Sequence, residues 1–293
     1  MINTEEAFEK FRQRLELNET ERKDTIKRHE EVRDVIKADF VVDRDILTGS
    51  YKRHTKTKPL KDVDVFFVLG KKERDKYRHK PPADLINDFV KSLRGKYGHD
   101  AVEPGRRCAT VEFEKNTNDE EGKVLSIDAV PAFDIGACYE IPDRVRGDWI
   151  RTDPEIHMEQ ATAKNKELGG KWIPLVKMIK RWNRSAGKPI KPAFLVEVMM
   201  QELVDPPFTT YSSEVRRFFA AALDGIERDW HDPAGYGPPV SEQMTPELIS
   251  AAKEALRQAE MKAALAVRLE KQGKQGEAIA LWREIIGRYF PTK

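Results

Sequence analysis

Three aspartates and a Gly-Ser pair carry the chemistry open to this chain. Asp62 and Asp64 stand one residue apart in Asp62-Val63-Asp64, and Asp128 ends the run Lys123-Val-Leu-Ser-Ile-Asp128. In a strand, side chains alternate faces, so Asp62 and Asp64 point the same way and Val63 the other. Two carboxylates held that close repel, and a bridging cation relieves the repulsion. Hard oxygen donors with no His or Cys cluster beside them favour Mg²⁺ or Mn²⁺ over zinc. Asp128 follows Ser126 at the same period of two. It joins the cluster if its strand neighbours the one that carries Asp62 and Asp64. Such a trio can hold two metal ions about 4 Å apart. One activates an attacking ribose hydroxyl, with Asp128 among its ligands. The other bridges a triphosphate and stabilises the leaving pyrophosphate. Phosphoryl transfer of this kind is chiefly positioning and charge stabilisation, so few other catalytic groups are needed.

Gly49-Ser50 supplies the phosphate side. Glycine lets backbone approach phosphate oxygens. Ser50 adds a hydroxyl, and a short helix after it would aim N–H groups at an anion. Lys52 and Arg53 add positive charge nearby. A lone Asp-x-Asp is common where solvated strands begin. The Gly-Ser turn upstream, an apolar strand downstream and a later strand-borne aspartate together point to nucleotidyl transfer.

Positioning these groups needs a folded α/β core. The chain has 293 residues, long enough for one large or two small domains. Charged residues make up 35%, yet the formal net charge is only +2. That balance excludes a strongly basic nucleic-acid coat, so no long nucleic acid is an obligatory partner. The two cysteines, Cys108 and Cys138, lack metal-type spacing. A reducing cytoplasm fits them best. The charged first thirty residues do not read as a secretory signal. No apolar run approaches the roughly 18 residues of a membrane span.

Residues 4 to 38 read as helix, with apolar positions at three- and four-residue steps. A short β segment near 41–48 leads into the Gly-Ser turn. Val63 to Leu69 is an apolar strand that should be covered on both faces. Residues 71–80 read as a polar, largely basic loop, and Pro81-Pro82 opens a helix through Leu93. Cys108–Phe113 and Lys123–Val130 read as antiparallel strands joined by a turn-rich loop. The fold class is α/β (α+β): a mixed-sheet N-lobe over 1–150, N-terminal helix included, and a helical C-lobe over 151–293. A polar linker is expected at about 141–155. Helical patterns then fall at roughly 155–168, 172–184, 192–203, 212–224, 245–272 and 275–289. The last pair has a tetratricopeptide flavour but no second copy, so it should pack onto the helical lobe.

The six histidines are scattered without ligand spacing, and only His54 sits within the candidate loop. Trp230-His231-Asp232 reads as a structural turn. Tyr51 could stack on a base or lie in the core, and Arg106 and Arg107 read as solvated.

The stretch GSYKRHTKTKPLKDVDVFFVL resembles the active-site signature of the SMODS family, the bacterial cyclic-oligonucleotide synthases also called CD-NTases. SIDAVPAF resembles that family's third-aspartate strand, and NKELGGKWIPLVKMIKRWN its lysine-bearing helix. WHDPAGYG, the alanine-rich helix and AIALWREIIGRYFP resemble its C-terminal segment. The likeness runs from about residue 40 to 291. It implies a two-lobed, polymerase-β-like nucleotidyltransferase with a cleft between the lobes. It carries metal binding onto Asp62, Asp64 and Asp128, and triphosphate contact onto Gly49 and Ser50. A lysine gripping the β- and γ-phosphates falls on Lys180, with Lys177 second. Relatives often have Ser or Tyr where Ala193-Phe194 stands, so their base preference does not transfer.

The resulting expectation is a Mg²⁺- or Mn²⁺-dependent synthase with two ions, joining NTPs (ATP, GTP or both) into a cyclic di- or trinucleotide. The resemblance also implies anti-phage signalling, a downstream effector that senses the product, and room for a regulatory protein partner. One rival is nucleotide transfer to an RNA or protein acceptor. The other is a catalytically silent nucleotide sensor on the same fold.

Overall fold

The computed structural model describes residues 2–58, 62–113 and 126–292. The chain divides into two compact units, Leu17–Met158 and Met1–Glu16 with Glu159–Lys293. The expected helix over 4–38 is two helices, α1 (Thr4–Leu15) and α2 (Glu19–Asp39). Each starts on an asparagine capping box, Asn3 with Glu6 and Asn18 with Glu21. The reciprocal bonds satisfy first-turn N–H groups and make residue 18 a restart point. The N-terminal helix expected with the sheet is therefore split between the units. α2 covers the sheet, while α1 belongs to the helical unit.

Five further stretches follow in the first unit: β1 (Val42–Leu47), α3 (Gly49–Lys52), β2 (Asp62–Leu69), α4 (Lys71–Tyr77) and α5 (Pro82–Tyr97). They lead to β3 (Val102–Pro104), β4 (Ala109–Glu112), β5 (Ser126–Asp134), β6 (Tyr139–Asp143) and β7 (Asp148–Thr152). The sheet runs β1-β2-β5-β4-β3, and β6 pairs with both β5 and β7. Among the described residues only the β2–β5 pair is parallel, which makes the sheet mixed as expected. The turn-rich loop expected before β5 lies outside the described residues, as do positions 123–125 of the strand expected over 123–130.

One sheet face buries Val63, Val65, Phe67, Ile127 and Ala129 against Val32 and Ile36 of α2 and Leu85 and Phe89 of α5. The other face of β2 starts with Asp62 and Asp64 and continues with Phe66 and Val68. Those two pack with Val130, Ala132, Tyr139, Ile141 and Ile150. Strand β2 thus changes from polar to apolar halfway along one face, and its acidic end stands on a rigid base.

Three expectations need correction in this unit. The basic stretch 71–80 contains a helix, α4, because Tyr77 is buried and its hydroxyl donates to Asp88 at 2.6 Å. The expected linker at 141–155 is largely the β6–β7 hairpin. Pro142 and Gly147 suggest a linker, but all five residues of β6, Tyr139–Asp143, are buried, and Gly147 makes the turn with φ +70°. Arg106 and Arg107, expected in solvent, both pair with the fully buried Asp143, at 2.8 and 3.0 Å.

α6 (Pro154–Glu167) begins in the first unit and ends in the second. The helical unit continues with α7 (Trp172–Ser185), α8 (Ala193–Leu203), α9 (Tyr211–Gly225), α10 (Pro246–Lys271) and α11 (Gln275–Ile286). These ranges follow the sequence patterns closely. Phe8 of α1 meets Trp282 and Phe290 edge-on, each at 5.0 Å between ring centres. The α10–α11 pair packs into this core, as its missing second copy required. Trp230 is fully buried and its indole N–H donates to the Gly225 carbonyl, consistent with a structural turn. Among the described residues no helix is long and apolar enough to cross a membrane.

Candidate active site

The register of two strands decides the site's geometry. β2 and β5 run parallel with Asp62 opposite Ser126 and Asp64 opposite Asp128. β4 runs antiparallel on the far side of β5, with Thr110 opposite Asp128. Residues paired across neighbouring strands share a face. Asp64, Asp128 and Thr110 therefore form a row across the sheet, with Asp62 one step along β2.

Two of the three carboxylates have a named polar partner. Asp128 accepts a hydrogen bond from the Thr110 hydroxyl at 2.6 Å. Asp62 pairs with the Lys56 ammonium at 2.7 Å. Asp64 sits between them, and its carboxyl is pushed up to about 6, first by burial, then by the charges of Asp128 and Asp62. Lys56 and Arg53 oppose that shift without cancelling it. The Asp128 carboxyl is also raised, mainly by burial, while the Thr110 hydrogen bond pulls the other way. Proximity is thus written in the electrostatics: each added negative charge makes the next ionisation harder.

This donor set fits hard divalent cations. It offers carboxylate oxygens from adjacent strand positions, with mutual repulsion that such an ion would relieve. As the side chains are placed, no three His, Cys, Asp or Glu among the described residues close on one point. Asp128 accepts from Thr110 through one oxygen, Oδ1, while Asp62 is paired with Lys56, so an ion held by the three carboxylates would have to displace the lysine from Asp62.

The Gly-Ser turn is locked onto the same strand. Thr48 N–H donates to the Asp64 carbonyl at 2.9 Å, and α3 is a single turn beginning at Gly49. Gly49 has φ +62°, and a Cβ built there would lie 1.8 Å from Asp64 Oδ2. Both the left-handed backbone and the close approach require glycine. Ser50 follows, and its carbonyl accepts from the N–H groups of both Thr55 and Lys56 at 3.0 Å. Arg53 is buried and Lys52 exposed, so the two do not share a role. Tyr51 packs at the edge of the sheet core, and His54 is exposed with φ +59°.

The lysines expected to grip phosphate lie on α7 of the helical unit. Lys180 pairs with Glu197 of α8 at 2.5 Å, and Lys177 with Glu16 at 2.7 Å. Ala193 is the first residue of α8.

Lys56 and Thr110 were not singled out from the sequence. Lys56 is one of several basic residues in a run that mostly reads as solvated. Thr110 is a β-branched residue on a strand, and its place beside Asp128 depends on strand pairing. No local pattern in a single sequence reports that pairing.

A family model for the Second Messenger Oligonucleotide or Dinucleotide Synthetase domain matches residues 2–165, more than half of the chain. The chain belongs to the SMODS family. This SMODS protein is a nucleotidyltransferase of the cyclic-oligonucleotide-synthase (CD-NTase) class. It is 28% identical over 276 residues to a probable cyclic nucleotide synthase of Bacillus cereus, across 83% of this chain and 81% of that one. It is 25% identical over 318 residues to a cyclic AMP-AMP-AMP synthase of Acinetobacter, across 99% and 86% of the two chains. A solved structure of E. coli CdnC with ATP matches with a TM-score of 0.76 at 17% identity, covering 99% of both chains. A complex of the E. coli protein with HORMA-deltaN matches with a TM-score of 0.71 at 18% identity, covering 99% and 98%. At these identities the solved structures show a shared fold, and the expected mixed-sheet and helical architecture is that fold.

Proposed function

We propose that this SMODS protein joins nucleoside triphosphates into a cyclic di- or trinucleotide, releasing pyrophosphate at each step. The observation that carries the reading is the pairing of Asp64 with Asp128 on parallel strands, with Gly49 pressed against Asp64. Asp62, Asp64 and Asp128 are read as the ligands of two Mg²⁺ or Mn²⁺ ions. When bound, such ions lower the pKa of an attacking hydroxyl and neutralise charge on the triphosphate. The chain's own part is orientation. β2 and β5 fix the spacing of the carboxylates, and Thr110 holds the Asp128 carboxyl toward the row. The Gly49-Ser50 turn offers a close backbone approach and a hydroxyl to phosphate oxygens. On the helical unit, Lys180, or failing it Lys177, is read as the β- and γ-phosphate contact. An ammonium that leaves a carboxylate partner for a phosphate exchanges one charge-assisted contact for another.

ATP, GTP or both are the proposed substrates. The E. coli relative solved with ATP supports the first, and its HORMA complex supports a regulatory protein partner here. A cytoplasmic site of action and a signalling role in phage defence, with a separate effector sensing the product, follow from the family resemblance.

The test is incubation of the full chain with four labelled NTPs and Mg²⁺, followed by phosphatase. Label that survives in a small product marks cyclic or internal phosphates and supports the reading. Label that appears only on added RNA or on protein overturns cyclisation in favour of acceptor transfer. Complete release of the label with no pyrophosphate formed overturns catalysis.

A further inference from the structure

Lys56 has no part in the reading above, yet its ammonium lies directly against one of the three aspartates. Its side chain is only 8% exposed, and its ammonium lies 2.7 Å from Asp62 Oδ2. Its backbone N–H donates to the Ser50 carbonyl at 3.0 Å. Main chain and side chain thus tie one residue to both the Gly-Ser turn and the acidic row. Arg53, Thr55 and Thr57 around it are buried as well, so the lysine stem is set in a packed loop rather than reaching in from solvent. Fixing a long lysine side chain costs rotamer entropy, which an ordinary surface pair barely offsets. Three carboxylates gathered on one sheet face provide a stronger reason for a cation there.

We propose that Lys56 is the built-in counter-ion of the aspartate row and competes with the divalent cation for Asp62. Metal affinity is thereby held low, and the ion enters with a nucleotide rather than ahead of it. This inference rests on the reading of Asp62, Asp64 and Asp128 as metal ligands. Lys56 is a positioning residue in this scheme, acting on the reaction through Asp62.

The experiment is Mn²⁺ binding to the full chain without nucleotide, read by the electron paramagnetic resonance of free Mn²⁺. Lys56→Met keeps the length of the side chain and removes the charge. It is expected to bind Mn²⁺ about fivefold more tightly, the scale of a half-exposed ion pair. Lys56→Arg should keep the weaker wild-type affinity. Melting temperatures supply the second readout. In chelator Lys56→Met should melt below wild type, and saturating Mn²⁺ should close that gap. A lysine with only a packing role would lower both melts equally, and that result overturns the proposal. So does unchanged or weaker Mn²⁺ binding by Lys56→Met while Asp64→Asn still weakens it. Mn²⁺ binding indifferent to Asp64→Asn instead overturns the metal reading itself. If Lys56→Met does not fold, Lys56→Gln gives the same comparison with a shorter neutral side chain.

Discussion

Asp64 is the residue on which burial, repulsion and backbone packing converge. Burial and the charges of Asp128 and Asp62 raise its carboxyl to about 6. A folded pKa above the ordinary value of 3.8 means the folded state holds the proton more firmly. Its contribution to stability is therefore full below 3.8 and is lost as pH rises through about 6. Asp64→Asn should accordingly abolish turnover and, in chelator above pH 7, melt at or above the wild-type temperature. Retained turnover would remove Asp64 from the metal assignment; a lower melt would contradict the repulsion. Gly49→Ala should fail differently. A methyl at that position meets the Asp64 carboxylate, and the left-handed backbone adds strain of about 1–3 kcal/mol. Both activity and melting temperature should fall, whereas Ser50→Ala should mainly raise the apparent NTP KM. The candidates Asp62, Asp64 and Gly49-Ser50 stand out in the sequence because their residue types and spacing fall within a short stretch of chain. Lys56 and Thr110 were not, since their meaning comes from which side chains face them in space.

At the scale of elements, periodicity read the helical half well, while capping and pairing were read poorly. α7, α9, α10 and α11 each show an apolar stripe that their sequence spacing announces, whereas α8 is buried without a break from Leu195 to Met200. The break between α1 and α2 is announced too, by Asn18-x-x-Glu21, but the three- and four-residue rhythm ran past it. Asn18→Ala should cost about 1 kcal/mol, visible as a lower melting temperature with unchanged NTP KM. The β6–β7 hairpin escaped notice because Pro142 and Gly147 mimic a linker, while its anchor, Asp143, is a polar residue at a core position. Burial alone would raise that carboxyl. Hydrogen bonds from Arg106, the Arg146 N–H and Arg107 outweigh it and hold it below the usual carboxylate range. A depressed folded pKa contributes stability above the unfolded value and loses it as pH falls through the folded one. Asp143→Asn should thus lower the melting temperature at neutral pH, by the equivalent of about 2 kcal/mol because both arginines keep contact with water. The gap to wild type should narrow in acid, below the ordinary value of 3.8. A gap that stays constant down to acid pH would show that shape, not charge, holds the hairpin.

For the whole molecule, the division into units cuts across the order of the chain. Helix α1 comes first in sequence, yet its Phe8 and Phe11 belong to the core of Trp282 and Phe290. Sequence order assigned it to the sheet, because which core an amphipathic helix joins is decided by tertiary contacts that leave no local trace. The same holds for the lysine proposed to grip phosphate. Resemblance puts it on α7, at Lys180 first and at Lys177, one turn earlier, second. Their surroundings separate them. Lys180 pairs with Glu197, which is almost fully buried, whereas the partner of Lys177 is Glu16, 42% exposed. Removing Lys180 leaves a buried carboxylate with one cation fewer, so Lys180→Ala carries a stability cost that Lys177→Ala largely avoids. Activity must therefore be read against melting temperature. The expectation is that Lys180→Ala raises NTP KM about tenfold, the loss of one charge-assisted phosphate contact. Lys180→Ala,Glu197→Gln should recover most of the melting temperature while KM stays high. A KM that recovers with stability would reduce Lys180 to a structural partner of Glu197. A KM defect confined to Lys177→Ala would move the phosphate contact one turn back along α7.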